Sequence, residues 1–154
     1  MFDEFYDAAV FGELETVKRI LQENPGIINE KDEFGFTALH GVAGEEQNVM
    51  MKYLIENGAN VNAENDEGIT PLHLATYSET VDVLTNFNAN INHQAHDGST
   101  ALHTQAAEAE GSECIEALLK RGADKTLKNQ DNETAYDIAI AREEEDKIGL
   151  LRIY

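Results

Sequence analysis

Three of the five histidines sit in one recurring phrase: Thr37-Ala38-Leu39-His40, Thr70-Pro71-Leu72-His73 and Thr100-Ala101-Leu102-His103. Imidazoles can act as general bases or ligate metals, so these are the first candidates for chemistry. The other two, His93 and His96, are spaced i, i+3 beside Asp97. That trio is the seed of a zinc seat, and of a metal-dependent enzyme built on it, if two further ligands came near. No Cys–Cys pair or H-E-x-x-H motif accompanies it. Cys114 is the single cysteine and stands beside Ile115, where a helix would turn its apolar face inward. A cysteine there is a small hydrophobe, since a nucleophile needs an exposed, electropositive setting. G-x-S-x-G and phosphate-cradling glycine loops are both missing from the chain. No catalytic residue, metal or cofactor is assigned, and the metal-dependent enzyme is the weakest functional alternative.

The spacing of the phrase gives its histidines another job. With the decayed copy Thr134-Ala135-Tyr136-Asp137, the threonines fall 33, 30 and 34 positions apart. A period of this length marks stacked supersecondary units, each too small to bury its own apolar face. Stacking places the three imidazoles one unit apart, too far to share a metal ion. Thr37, Thr70 and Thr100 suit the start of a helix, and Pro71 suits its first turn. The phrase residues Thr37, His40, Thr70, His73, Thr100 and His103 are therefore expected to be structural.

Each phrase is preceded by a turn and followed by two helical patterns. The units begin at Asp32, Asn65, Ala95 and Asn129, with Gly35, Gly68, Gly98 and, as a substitute, Asn132 three residues on. Asn tolerates the left-handed conformation a turn glycine adopts. In the first full unit Leu39, Val42 and Ala43 mark one apolar face, and Met50, Met51, Leu54 and Ile55 a second. Gly58, Asn88 and Gly122 supply the helix stops. Relative to the first full unit, the second is three residues shorter near Tyr77-Ser78-Glu79, and the third one longer near Glu110-Gly111-Ser112. Both changes are read as drift in the turn between the two helices, where length varies most freely.

Charge is the second large signal. Thirty acidic residues face eleven basic ones, a net of −19. Such a surface repels nucleic acid and anionic lipid and attracts a basic protein. The acidic start Met1-Phe2-Asp3-Glu4-Phe5 does not resemble a secretory signal, no apolar run is long enough to span a bilayer, and no internal disulfide is possible with one cysteine. A cytoplasmic monomer is the expectation. The run Glu143-Glu144-Glu145-Asp146 reads as the solvated face of a terminal cap.

Thr70-Pro71-Leu72-His73-Leu74-Ala75, the flanking Asn65-Asp66-Glu67-Gly68 and the Gly58-Ala59 exit together resemble the ankyrin repeat. The resemblance covers essentially the whole chain. It implies an all-α solenoid forming a single domain over 1–154, with a cap at 1–31, internal repeats at 32–64, 65–94 and 95–128, and a cap at 129–154. It also implies a non-enzymatic protein-binding module whose contacts come from loop tips and the exposed side of the first helices. Mapped here, those positions are Glu33, Phe34, Phe36, Glu45, Asp66, Glu67, Ile69, Tyr77, Asp97, Glu108, Asp131 and Glu133. They are mostly acidic with a few apolar groups, so the expected partner is a protein with a basic surface. The module could be an inhibitor or immunity protein that neutralises a toxin or enzyme, or an adaptor without inhibitory activity. Phe34 and Phe36 are either exposed anchors or a lid over the N-terminal cap. The resemblance also makes Asn62 and Asn92 candidates for hydroxylation.

Overall fold

A computed structural model describes all residues, 1–154, and contains helices and loops but no β-strand. The helices are α1 (Phe2–Val10), α2 (Leu14–Glu23), α3 (Ala38–Ala43), α4 (Asn48–Glu56), α5 (Ser78–Asn86), α6 (Ala101–Ala107), α7 (Ser112–Lys120), α8 (Ala135–Ala141) and α9 (Glu145–Ile153). Two 3-10 segments, Pro25–Asn29 and Pro71–Leu74, complete the set. No helix is long and apolar enough to cross a membrane.

These helices form two layers because each unit has one helix before and one after its internal turn. In the first layer α1 packs on α3, α3 on the Pro71–Leu74 turn, that turn on α6, and α6 on α8. In the second, α4 packs on α5, α5 on α7 and α7 on α9. One continuous apolar cluster runs between the layers, from Phe5 in α1 to Leu151 in α9. No unit closes its own core, so each is stabilised by its neighbours, as the period required.

The boundaries follow the punctuation residues. Thr37, Thr70, Thr100 and Thr134 are all extended and each opens a helix or 3-10 turn. Asn132 has φ 63° and Asn88 φ 65°, so asparagine takes the left-handed place of glycine in both the degenerate turn and the second unit's helix stop.

One expectation fails in an informative way. The three-residue deletion is not absorbed by the turn between helices. It removes most of the second unit's first helix, leaving the 3-10 turn Pro71–Leu74 where its neighbours have α3 and α6. Tyr77, placed on that first helix from sequence, is instead the residue that precedes α5. The terminal cap buries one polar side chain: Lys147, which directly follows the acidic run, is 1% exposed.

Candidate interaction face

The phrase histidines are fasteners between units. In each phrase the threonine amide donates to histidine Nδ1, at 3.1 Å for His40 and 3.2 Å for His73 and His103. That fixes Nδ1 as an acceptor and leaves Nε2–H free to donate. It reaches the carbonyl of the next unit's loop: Ile69 from His40 at 3.0 Å, Ser99 from His73 at 3.1 Å and Glu133 from His103 at 3.1 Å. Burial, opposed by the acceptor carbonyls, pushes the His40 and His73 imidazoles below their ordinary proton affinity. Held neutral and doubly bonded, they have no lone pair to spare for catalysis.

The loops those histidines hold are joined at their tips. Asp66 donates its amide to Phe34 O (3.0 Å), His96 to Glu67 O (2.9 Å) and Gln130 to Asp97 O (2.8 Å). Inside each loop a side-chain oxygen braces the turn. Asp32 Oδ1 accepts from Phe34 and Phe36, Asn65 Oδ1 from Glu67 and Ile69, and Asn129 Oδ1 from Asp131 and Glu133. The third unit starts with Ala95, and its brace comes instead from Asp97, whose Oδ1 accepts from the Ser99 amide at 2.8 Å. Gln94 adds to it, donating to Gly98 O at 2.8 Å and Lys128 O at 3.1 Å. The result is a rigid ribbon of four tips.

Glu33, Asp66, Glu67, Asp97 and Asp131 stand exposed along that ribbon, and none of them takes part in an ion pair. Four cations pair elsewhere: Lys18 and Arg19 with acids of α1 and α2, Lys120 and Arg121 with Glu116 and Asp82. Two others flank the tips themselves, Lys31 donating to Glu64 O and Lys128 to Asn132 Oδ1. The tip row therefore carries five carboxylates outside any ion pair, with a lysine beside its first and last loops.

The two phenylalanines part company. Phe34 is 59% exposed, a free apolar group among the tip carboxylates. Phe36 is half-buried and sets its ring edge-on to His40, with centroids 5.5 Å apart. Ile69 and Glu133 are half-buried too, and both lend their carbonyls to the fasteners. Glu45, Glu108 and Tyr77 are exposed.

The loss of the helical turn leaves a cleft of about 450 Å³ between Pro71–Leu74 and α6. It is lined by residues 73–76 on one side and by Thr104, Gln105 and 108–110 on the other. The third unit's extra residue falls on that far wall. The shortened segment is tied to its neighbours on both sides. Gln105, 4% exposed, donates Nε2 to Ala75 O at 2.7 Å, and Thr76 Oγ1 donates to Gly44 O at 2.8 Å. Gln105 and Thr76 carried no sequence signal, and Leu74 and Ala75 were legible only as part of the repeat phrase.

His93, His96 and Asp97 do not assemble a metal seat. His93 Nε2 faces Gly68 O at 3.1 Å and Glu64 at 3.6 Å, and His96 lies over Gly68. No three carboxylate, imidazole or thiol groups converge anywhere. Cys114 is buried with Sγ 3.7 Å from Ala75 O, and burial pushes its thiol up to about 11, away from the thiolate form. Asn62 and Asn92 belong to a second set of inter-unit bonds, accepting from the amides of Asn90 at 2.7 Å and Asp124 at 2.8 Å.

The stack and its fasteners define a class, and comparison with known proteins agrees. A family model for ankyrin repeats in three copies matches residues 5–95 and 76–152. The chain belongs to the ankyrin-repeat family, whose repeats are protein–protein interaction modules. It is similar to the human transient receptor potential cation channel subfamily A member 1, with 30% identity over 80% of this chain and 11% of that protein. The Caenorhabditis elegans homologue of that channel is 31% identical over 90% of this chain and 12% of its own length. The neurogenic locus notch homolog protein 1 of Danio rerio is 35% identical over 82% and 5% respectively. The chain thus spans only about an eighth or less of each of these relatives.

Proposed function

We propose that this chain binds a basic protein through its ribbon of acidic loop tips. The observation that carries the reading is the row of tip carboxylates. Glu33, Asp66, Glu67, Asp97 and Asp131 come from successive units, are exposed, make no ion pair, and sit on loops bonded to one another. Phe34 adds an apolar anchor within a charged rim, the usual composition of a binding hot spot. Electrostatic attraction of this kind raises the association rate and fades with salt.

Capture of partners from native extract onto immobilised chain, at low and at high ionic strength, tests the reading. Binding should weaken with salt and drop for a Phe34→Ala/Asp66→Lys double variant. Binding indifferent to both would sink it. The partner's own activity separates two forms of the proposal. An inhibitor or immunity protein abolishes that activity on binding, whereas an adaptor leaves it intact within a ternary complex.

A further inference from the structure

We propose that the cleft between Pro71–Leu74 and α6 receives one long cationic side chain, lysine or arginine, projecting from a protein partner. This inference rests on the acidic-face reading and names the point where a partner would be anchored. The cleft is made by the two length irregularities. The deletion in the second unit removes the helical turn that would have filled it, and the insertion in the third extends its far wall through Glu108, Ala109 and Glu110. At about 450 Å³ it falls within the range of small-ligand pockets, roughly 300–1,000 Å³, so it can take a side chain but not a helix.

Its chemistry matches one occupant. Leu74, Ala75 and Ala109 offer apolar wall to an aliphatic stem. Glu108 and Glu110, both exposed and neither in an ion pair, also line it and offer carboxylates to a charged head. The nearest buried cation does not compete for that place. Lys147 donates to the backbone carbonyl of Glu108, has Glu144 at 3.9 Å, and does not line the cleft. The floor is pre-organised, because Gln105 and Thr76 already hold the backbone that a collapsing cleft would have to move.

The probe is a short glycine–serine peptide with a single central arginine, and its counterpart with neutral citrulline at that position. Both are titrated into the full chain at low ionic strength and followed by amide chemical shifts. The arginine peptide should bind and shift the amides of Thr76, Thr104 and Ala109, and the citrulline peptide should bind roughly tenfold more weakly. Glu108→Gln/Glu110→Gln should weaken the arginine peptide by a similar factor, and Ala109→Trp, which fills the cleft from an exposed position, should remove those shifts. An Asp66→Lys/Asp97→Lys variant reverses charge at the tips alone. Loss of binding in the cleft variants supports the cleft whatever the tip variant does. If only the tip variant loses binding, the acidic face stands and the cleft is overturned. If every variant binds as wild type does, or the wild-type chain does not bind, both readings are overturned.

Discussion

The second and third full units began from the same phrase and ended with different inner elements. In the third, Thr100 opens a seven-residue helix, α6, whose first carbonyls are satisfied along its own axis. In the second, Thr70 opens four residues of 3-10 helix, and the chain then runs extended through Ala75. The shorter unit keeps its place through hydrogen bonds to its neighbours on both sides. His73 reaches forward to Ser99, Gln105 reaches back to Ala75, and Thr76 reaches back to Gly44. Stability lost along the helix axis is regained across the stack. In a solenoid this is possible because every unit has a neighbour on each side.

The comparison is broken most severely at the fastener. His73→Ala removes a buried ring bonded to Thr70 and to the next loop, leaves the Ser99 carbonyl without its donor and opens a cavity. The expected loss is about 3 kcal/mol in urea unfolding. A loss under about 1 kcal/mol would mean the phrase does not fasten the units.

The same ring gives the stack a pH dependence with a definite sign. Burial lowers the proton affinity of His40 and His73 from the ordinary 6.5, while an unfolded imidazole keeps that value. Below about pH 6.5 the unfolded chain therefore takes up protons that the native chain refuses, so stability is full above that point and falls as the solution is acidified. Urea midpoints from about pH 7.5 to about pH 5.5 should decline, and the slope should be shallower in His73→Ala. An equal slope in both proteins would remove His73 from the account.

A smaller effect tests the third unit's side of the comparison. Gly111 lies where an added Cβ would come within 2.0 Å of Gln105 O, a backbone atom that cannot step aside. Gly111→Ala should therefore cost about 2 kcal/mol and shift the wall that carries Glu108 and Glu110. Gln105→Ala leaves the Ala75 carbonyl with only the weak Cys114 thiol near it, and should cost roughly 1–2 kcal/mol. Thermal melts of these two variants beside Thr104→Ala, a half-buried neighbour whose hydroxyl bonds only within its own helix turn, give the contrast. Equal losses in Gln105→Ala and Thr104→Ala would show that the cross-unit bond contributes nothing special.

The phrase, the turns and the helix stops were legible in the sequence because each is a local rule. A threonine opens a helix, an asparagine takes left-handed φ at Asn88 and Asn132, and an apolar stripe faces inward. The tip acids were legible as positions on that ruler. The cleft was not. A deletion between His73 and Asn88 fits equally well in a turn or in a helix, and the bond from Gln105, thirty residues on, that supports the observed outcome is not a local rule. The half-burial of Phe36 against His40 was invisible for the same reason, since both outcomes fit the same spacing.

Lys147 is the last instance, and its charge has the smallest expected effect. It directly follows the acidic run from Glu143 to Asp146, yet its stem lies buried and its ammonium meets the Glu108 carbonyl where α6 ends. A cation at a helix C-terminus is favourable, but removing it from water is costly, and the two effects largely offset. Lys147→Met keeps the apolar stem and discards the charge, so stability should change by less than about 1 kcal/mol. Lys147→Ala should lose more, about 2 kcal/mol, because the stem's packing goes as well. If instead both variants lost the same amount, the ammonium would be what holds α9 against the end of α6. The terminal cap would then depend on a charge and not on packing.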